Sequence, residues 1–220
     1  MSDETEEQKK LMRQIDISCV QAFHTMDEID AMVELAKKYR LAAVFTLPAF
    51  SAHVAERLQD TREIHAGGVV SFPGGGDTTG QKKRQAKELW EAGCREIDMV
   101  MNLTAFRSHE FSYVKEELLA IREQVPSAIF KVIIEAPQLT EQEICQAVDL
   151  CVEGRADYVK TSTGWYPGCP STVEQVRIMS REPAGGIRSL ETIQEMQKAG
   201  CSRFGMGMRS VQNLIKSIYK

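Results

Sequence analysis

At 220 residues the chain has the length of one domain, or of one large one. A chain of this size buries roughly 70% of its unfolded surface, enough for a core that needs neither disulfides nor metal. Hydrophobic residues make up 43% and charged residues 26%, and the net charge of −4 leaves no basic footprint for general nucleic-acid binding. No apolar run approaches the ~20 residues of a membrane span. The polar, acidic start (Asp3, Glu4, Glu6, Glu7) lacks the basic and apolar parts of a secretory leader, so a cytoplasmic location is expected.

In chain order, residues 1–14 read as a polar, solvated extension and 15–220 as a single domain. Within it, β-rich runs alternate with longer amphipathic stretches. Strands are expected at Ile15–Val20, Ala42–Leu47, Gly68–Phe72, Glu96–Met101, Ile129–Ile134 and Asp157–Thr161, with a weaker one at Arg203–Met206. Several are continuous apolar runs, as a packed barrel interior on one face and helices on the other would require. Helix starts are marked by Thr25-x-x-Glu28, Thr140-x-x-Glu143 and Ser171-x-x-Glu174, each fitting a capping box. After the first, Met26, Ile29, Met32, Val33 and Ala36 form one apolar face. After the second, Ile144, Ala147, Val148, Cys151 and Val152 do the same.

A loose repeat reinforces the order. Glu91-Ala92-Gly93-Cys94, Glu153-Gly154-Arg155-Ala156 and Lys198-Ala199-Gly200-Cys201 each precede a strand; in the first and third Gly is expected to end the helix, and the second is looser but follows the same order. Repeated β-then-α order implies a parallel sheet with right-handed crossovers. Seven readable strands and a doubtful eighth favour a short (β/α)₈ barrel over an open doubly wound sheet.

The six cysteines are scattered without a Cys-x-x-Cys pair and read as reduced, mostly buried thiols. His24, His53, His65 and His109 have no metal-ligand spacing and read as surface residues of loops or helices. No Gly-x-Ser-x-Gly, Walker or dinucleotide fingerprint is present.

A barrel of this class builds its site at the C-terminal ends of its strands. Asp98 lies there between Ile97 and Met99, and such a carboxylate needs a partner. It is either structural or a proton-transfer group, and Lys131 suits it in both cases. Lys160, after Asp157-Tyr158-Val159, either snorkels outward or forms a Schiff base as a desolvated amine. Glu135 ends the fifth strand, and Thr161 belongs to the run Lys160-Thr161-Ser162-Thr163-Gly164. The turns around Gly185, Gly186 and Arg188, and around Gly205 and Gly207, suit a phosphate, since glycine lets backbone N–H groups approach an anion.

Taken in order, Phe72-Pro73-Gly74, Glu96-Ile97-Asp98-Met99-Val100, Lys131-Val132-Ile133-Ile134-Glu135, Lys160-Thr161-Ser162-Thr163-Gly164 and Pro183-Ala184-Gly185-Gly186-Ile187-Arg188 resemble the deoxyribose-phosphate aldolases, class I aldolases on a (β/α)₈ barrel. The likeness runs from about Ile15 to Leu214. It implies reversible cleavage of 2-deoxyribose 5-phosphate to acetaldehyde and glyceraldehyde 3-phosphate, with Lys160 as Schiff-base lysine and Asp98 in the proton relay. It implies no metal and no other cofactor. The implied partner is a small sugar phosphate or aldehyde, and a homodimer stays open.

Four departures stand out. Glu182 falls where the family has a second lysine. The stretch from Met179 to Pro183 is short, so the seventh βα unit is expected to be reduced. Gly205-Met206-Gly207-Met208 lacks the serines usual at the phosphate turn, for which Arg209 or Arg188 would compensate. Phe45 replaces a common cysteine and narrows the pocket. These departures keep two alternatives open: a Schiff-base aldolase for another hydroxyaldehyde or ketose, and a non-catalytic sugar-phosphate-binding relative.

Overall fold

The computed structural model describes residues 5–180 and 190–219. Seven strands form one parallel sheet: β1 (Ile15–Cys19), β2 (Ala43–Thr46), β3 (His65–Val70), β4 (Glu96–Val100), β5 (Ile129–Ile133), β6 (Tyr158–Lys160) and β7 (Phe204–Gly207). Their order is β6-β5-β4-β3-β2-β1-β7. The helices are α1 (Glu6–Met12), α2 (Met26–Tyr39), α3 (Ser51–Arg57), α4 (Thr79–Glu91), α5 (Leu103–Arg107), α6 (Phe111–Gln124), α7 (Glu141–Glu153), α8 (Val173–Met179), α9 (Leu190–Lys198) and α10 (Met208–Ile218). This is a (β/α)₈ TIM barrel with seven of its strands among the described residues. The expected short seventh unit falls on residues 181–189. Glu182, Gly185, Gly186 and Arg188 therefore lie outside the described residues.

The strand sequences alternate with period two, and the two sides do different work. Ile17, Val44, Ile97, Val132, Phe204 and their like face outward into the helix layer and form two large clusters of buried side chains. The inward positions are unlike the apolar filling expected from the sequence. Asp16, Glu96, Asp98 and Lys131 are all buried, and they meet across the lumen with Lys160 and Arg203. The apolar part of the interior is small: Ala43, Phe45 and Val69, backed by Val20, Leu47 and Phe72. The interior is polar because three carboxylates and three cations satisfy one another there.

Capping boxes form at Thr25 and Thr140 as expected. The third is displaced by one residue: Thr172 and Gln175 make it, because the Ser171 hydroxyl is engaged elsewhere. Gly154 is the C-cap of α7 at φ −77°, and Arg155 after it takes the left-handed turn at φ 58°. Close packing requires the glycine, since a Cβ there would lie 2.4 Å from the Leu118 Cβ. Other sequence readings are corrected. Met26 and Val152, at the helix ends, are exposed, and Leu150 is buried in place of the latter. His65 opens β3 rather than lying in a loop or helix. Of the residues read as an extension, Glu6–Met12 form α1, whose Met12 joins the core; Gln8 Nε2 donates to the Ile218 carbonyl of α10 at 3.1 Å.

Candidate active site

Lys160 ends β6 and projects into the barrel mouth, where its Nζ donates to Asp98 Oδ2 from β4. Three neighbours define the amine's surroundings. Asp98, 1% exposed, takes one side. The Phe45 ring of β2 lies with its centroid 5.3 Å from Nζ. Gly205 of β7 is the third, and a Cβ there would sit 3.3 Å from Nζ. The remaining side opens into a cavity of about 700 Å³, also bordered by Ser162, Thr163, Tyr166, Met208 and Arg209.

Below this amine the charges interlock. Lys131 Nζ donates to Asp16 Oδ2 at 2.6 Å, pairs with Glu96, and lies 3.6 Å from Asp98 Oδ1. Its ammonium also sits 4.7 Å from the Phe45 centroid. Arg203 pairs with Asp16 and, at 3.0 Å, with Glu96, while His65 Nδ1 is 2.9 Å from Glu96 Oε1. Burial pulls the Lys131 ammonium down, but Asp16, Asp98 and Glu96 outweigh it and hold its pKa above the ordinary lysine range. For Glu96, burial pushes up, and Lys131, His65 and Arg203 overcome it, leaving the carboxyl well below the usual range. The lumen thus keeps Lys131 charged, while Lys160 sits at its outer end, on the mouth cavity.

The loop after β6 is fixed by side chains. Glu135, buried and at φ 51°, accepts from the Thr163 backbone N–H at 3.1 Å and from its hydroxyl at 2.7 Å. Ser171 donates to Thr161 Oγ1 at 2.7 Å and lies 3.0 Å from Ser162 Oγ. Thr161 is fully buried, so it acts as an internal strut for this loop. Trp165 packs edge-on against Phe72, centroids 5.8 Å apart.

Of the residues expected from the sequence, Lys160, Asp98 and Lys131 come together, and Thr161 supports them. Gly205 lies in β7, within the strand expected over Arg203–Met206, and stands beside the lysine. Gly207 is the N-cap of α10, without a side-chain cap bond. Asp16, Glu96 and Arg203 were not singled out. Asp16, between Ile15 and Ile17, carried the same signal as Asp98, a carboxylate between apolar neighbours in a strand, whereas Glu96 follows Arg95 and did not. Cys19, Cys94 and Cys201 are buried thiols pushed up by burial to about 12, 11 and 12, which leaves them unreactive. Among the described residues no three His, Cys, Asp or Glu side chains are placed to hold a metal ion, and no helix is long and apolar enough to cross a membrane.

The model of the DeoC/LacD family aldolases matches residues 2–208. The chain belongs to this family. The deoxyribose-phosphate aldolase of Klebsiella pneumoniae is 36% identical over 219 residues, covering 95% of this chain and 88% of that protein. That of Sinorhizobium medicae is 36% identical over 210 residues, covering 92% and 84%. Among solved structures, QR15, an aldolase, superposes with a TM-score of 0.86 at 32% identity over 98% of this chain and 97% of that one. The tetrameric deoxyribose phosphate aldolase of Aeropyrum pernix shares the fold, with a TM-score of 0.86 at 24% identity, covering 96% of this chain and 92% of that one.

Proposed function

We propose that the chain is a Schiff-base aldolase that reversibly cleaves 2-deoxyribose 5-phosphate to acetaldehyde and glyceraldehyde 3-phosphate. The observation that carries this reading is the Lys160–Asp98 pair, set at the inner end of the mouth cavity with one open side. In the neutral form Lys160 Nζ attacks the substrate aldehyde, and loss of water leaves an iminium. The iminium withdraws electrons as the C2–C3 bond breaks, the C3 hydroxyl gives up its proton, and glyceraldehyde 3-phosphate departs. The enamine left on Lys160 takes a proton at C2, and water releases acetaldehyde. Asp98 is in hydrogen-bonding contact with the amine and is the group placed to pass these protons.

The phosphate is assigned to the first turn of α10. Gly207 offers no side-chain cap, so the first-turn N–H groups are free to meet an anion there, and Arg209 borders the same cavity. Gly185, Gly186 and Arg188 belong to the same proposal. Met208 brings apolar surface to this end of the cavity and favours a second reading, a less polar hydroxyaldehyde as substrate.

The test is borohydride reduction in the presence of acetaldehyde, read by peptide mass, beside a cleavage assay on 2-deoxyribose 5-phosphate. The mass increase is expected on the peptide holding Lys160, with cleavage lost in Lys160→Ala. Absence of any adduct, or wild-type rates in Lys160→Ala, overturns the proposal. An adduct with poor cleavage of the deoxy sugar phosphate and faster cleavage of another hydroxyaldehyde selects the second reading.

A further inference from the structure

We propose that Phe45 restricts the donor half of the reaction to a two-carbon aldehyde; this rests on Lys160 being the imine-forming residue. The ring is buried between small neighbours. It is 2% exposed, and in the sheet register its neighbours are Ser18 on β1 and Gly67 on β3, two of the smallest inward residues. A Cβ on Gly67 would lie 2.3 Å from the Phe45 Cε1 and 2.4 Å from its Cζ. The glycine at 67 leaves the ring the space a side chain would take, which backs the ring on the side away from the mouth cavity.

The ring stands beside the reacting nitrogen, 5.3 Å from centroid to Lys160 Nζ. Asp98 fills a second side, and Gly205 a third, close enough that even a methyl group there would touch the amine at 3.3 Å. When the imine forms, the donor's first carbon is one bond beyond Nζ and its second carbon is two bonds beyond. Carbon atoms of a donor and of the ring need about 3.5–4.0 Å between them. A ring centroid only 5.3 Å from Nζ leaves little depth for a branch on the second carbon. Acetaldehyde has none. Propanal carries one methyl at that carbon, and it must meet the Phe45 face, the Asp98 carboxylate or the β7 backbone. The acceptor half reacts on the open side toward the mouth and escapes this restriction. Phe45 is thus a specificity residue acting on the nucleophilic partner alone.

The experiment compares rates of borohydride-trapped adduct formation for acetaldehyde and propanal, by intact mass, in the wild type, Phe45→Val and Phe45→Leu. Using the ratio within each protein cancels any general loss of reactivity. The wild type is expected to favour acetaldehyde by about tenfold or more, the scale of discrimination one methylene gives in a tight pocket. Phe45→Val should bring the ratio close to unity, with Phe45→Leu between. A wild type that traps both aldehydes equally overturns the proposal without recourse to any variant, as does an unchanged ratio in Phe45→Val. If Phe45→Val does not fold, the same criterion applies to Phe45→Leu. A wild type that traps neither aldehyde overturns the imine reading itself, a distinct result.

Discussion

Replacing Lys131 by methionine keeps most of the side chain's length and volume and deletes one charge. In the lumen Asp16, Glu96 and Asp98 face Lys131, Lys160 and Arg203. Without Lys131 three carboxylates share two cations, Asp16 loses a 2.6 Å hydrogen bond, and Glu96 loses its principal counter-charge. Breaking a buried pair in this one-sided way costs about 3–5 kcal/mol, a large part of the ~5–15 kcal/mol that stabilises a domain. For a domain of this size the melting midpoint should fall by roughly 6–20 °C.

The pH dependence sharpens the test. The folded-state pKa of Glu96 is depressed, so its contribution is present above its unfolded pKa and is lost as pH falls through the folded value. That of Lys131 is raised, so its contribution is full below its unfolded pKa and is lost as pH rises through the folded value. Both are intact near neutrality. In Lys131→Met the unpaired carboxylates are relieved by protonation, so the cost of the substitution is greatest near neutral pH and shrinks as the solution is acidified. Urea unfolding of both proteins at a neutral and an acidic pH measures this. Lys131→Met/Glu96→Gln restores two carboxylates against two cations and should regain part of the loss. A cost below about 1 kcal/mol, the scale of an exposed pair, or one that does not change with pH, refutes the charge-balance reasoning.

Three further outcomes follow from the geometry. Lys82 and Glu117 form a second buried pair at 2.7 Å between α4 and α6, and Lys82 also donates to the Val100 carbonyl at the end of β4 at 3.0 Å. Burial lowers the Lys82 pKa and raises that of Glu117, so Glu117→Gln should cost about 3–5 kcal/mol in denaturant unfolding, whereas Lys82→Met/Glu117→Leu should be near neutral. Gly205→Ala places a methyl 3.3 Å from Lys160 Nζ and should reduce the rate of adduct formation several-fold while moving the melting midpoint little; an unaltered rate contradicts the proposed crowding. Glu135→Ala frees Thr163 of two hydrogen bonds and should lower kcat for cleavage more than it raises KM, as expected when a support of the reacting loop is lost.

The strands were legible because their outward residues are apolar in unbroken alternation, as in Glu96-Ile97-Asp98-Met99-Val100. The capping boxes at Thr25 and Thr140 were legible because each is local, complete within four residues. At Ser171 and Thr172 two overlapping boxes fit the same sequence, and only the distant Thr161 hydroxyl decides between them. The lumen was the least legible part. Lys131 meets Asp16 115 positions away, and Arg203 meets Glu96 107 positions away. No local pattern encodes such pairings; they follow from closing the sheet. The pairing of β2 with β3 sets Phe45 beside Gly67, a complementarity visible only once the two strands are in register.

The lumen charges also bear on how such a chain can vary over generations. A single codon change at Asp16, Glu96, Lys131 or Arg203 strands a partner in a dry interior, so these positions are expected to drift only in concerted steps, sign exchanged against sign. An outward strand residue such as Val44 or Val132 has neighbours that need only its volume, and it is free to wander one substitution at a time. Alternate residues of the same strand are thus held to different evolutionary tempos.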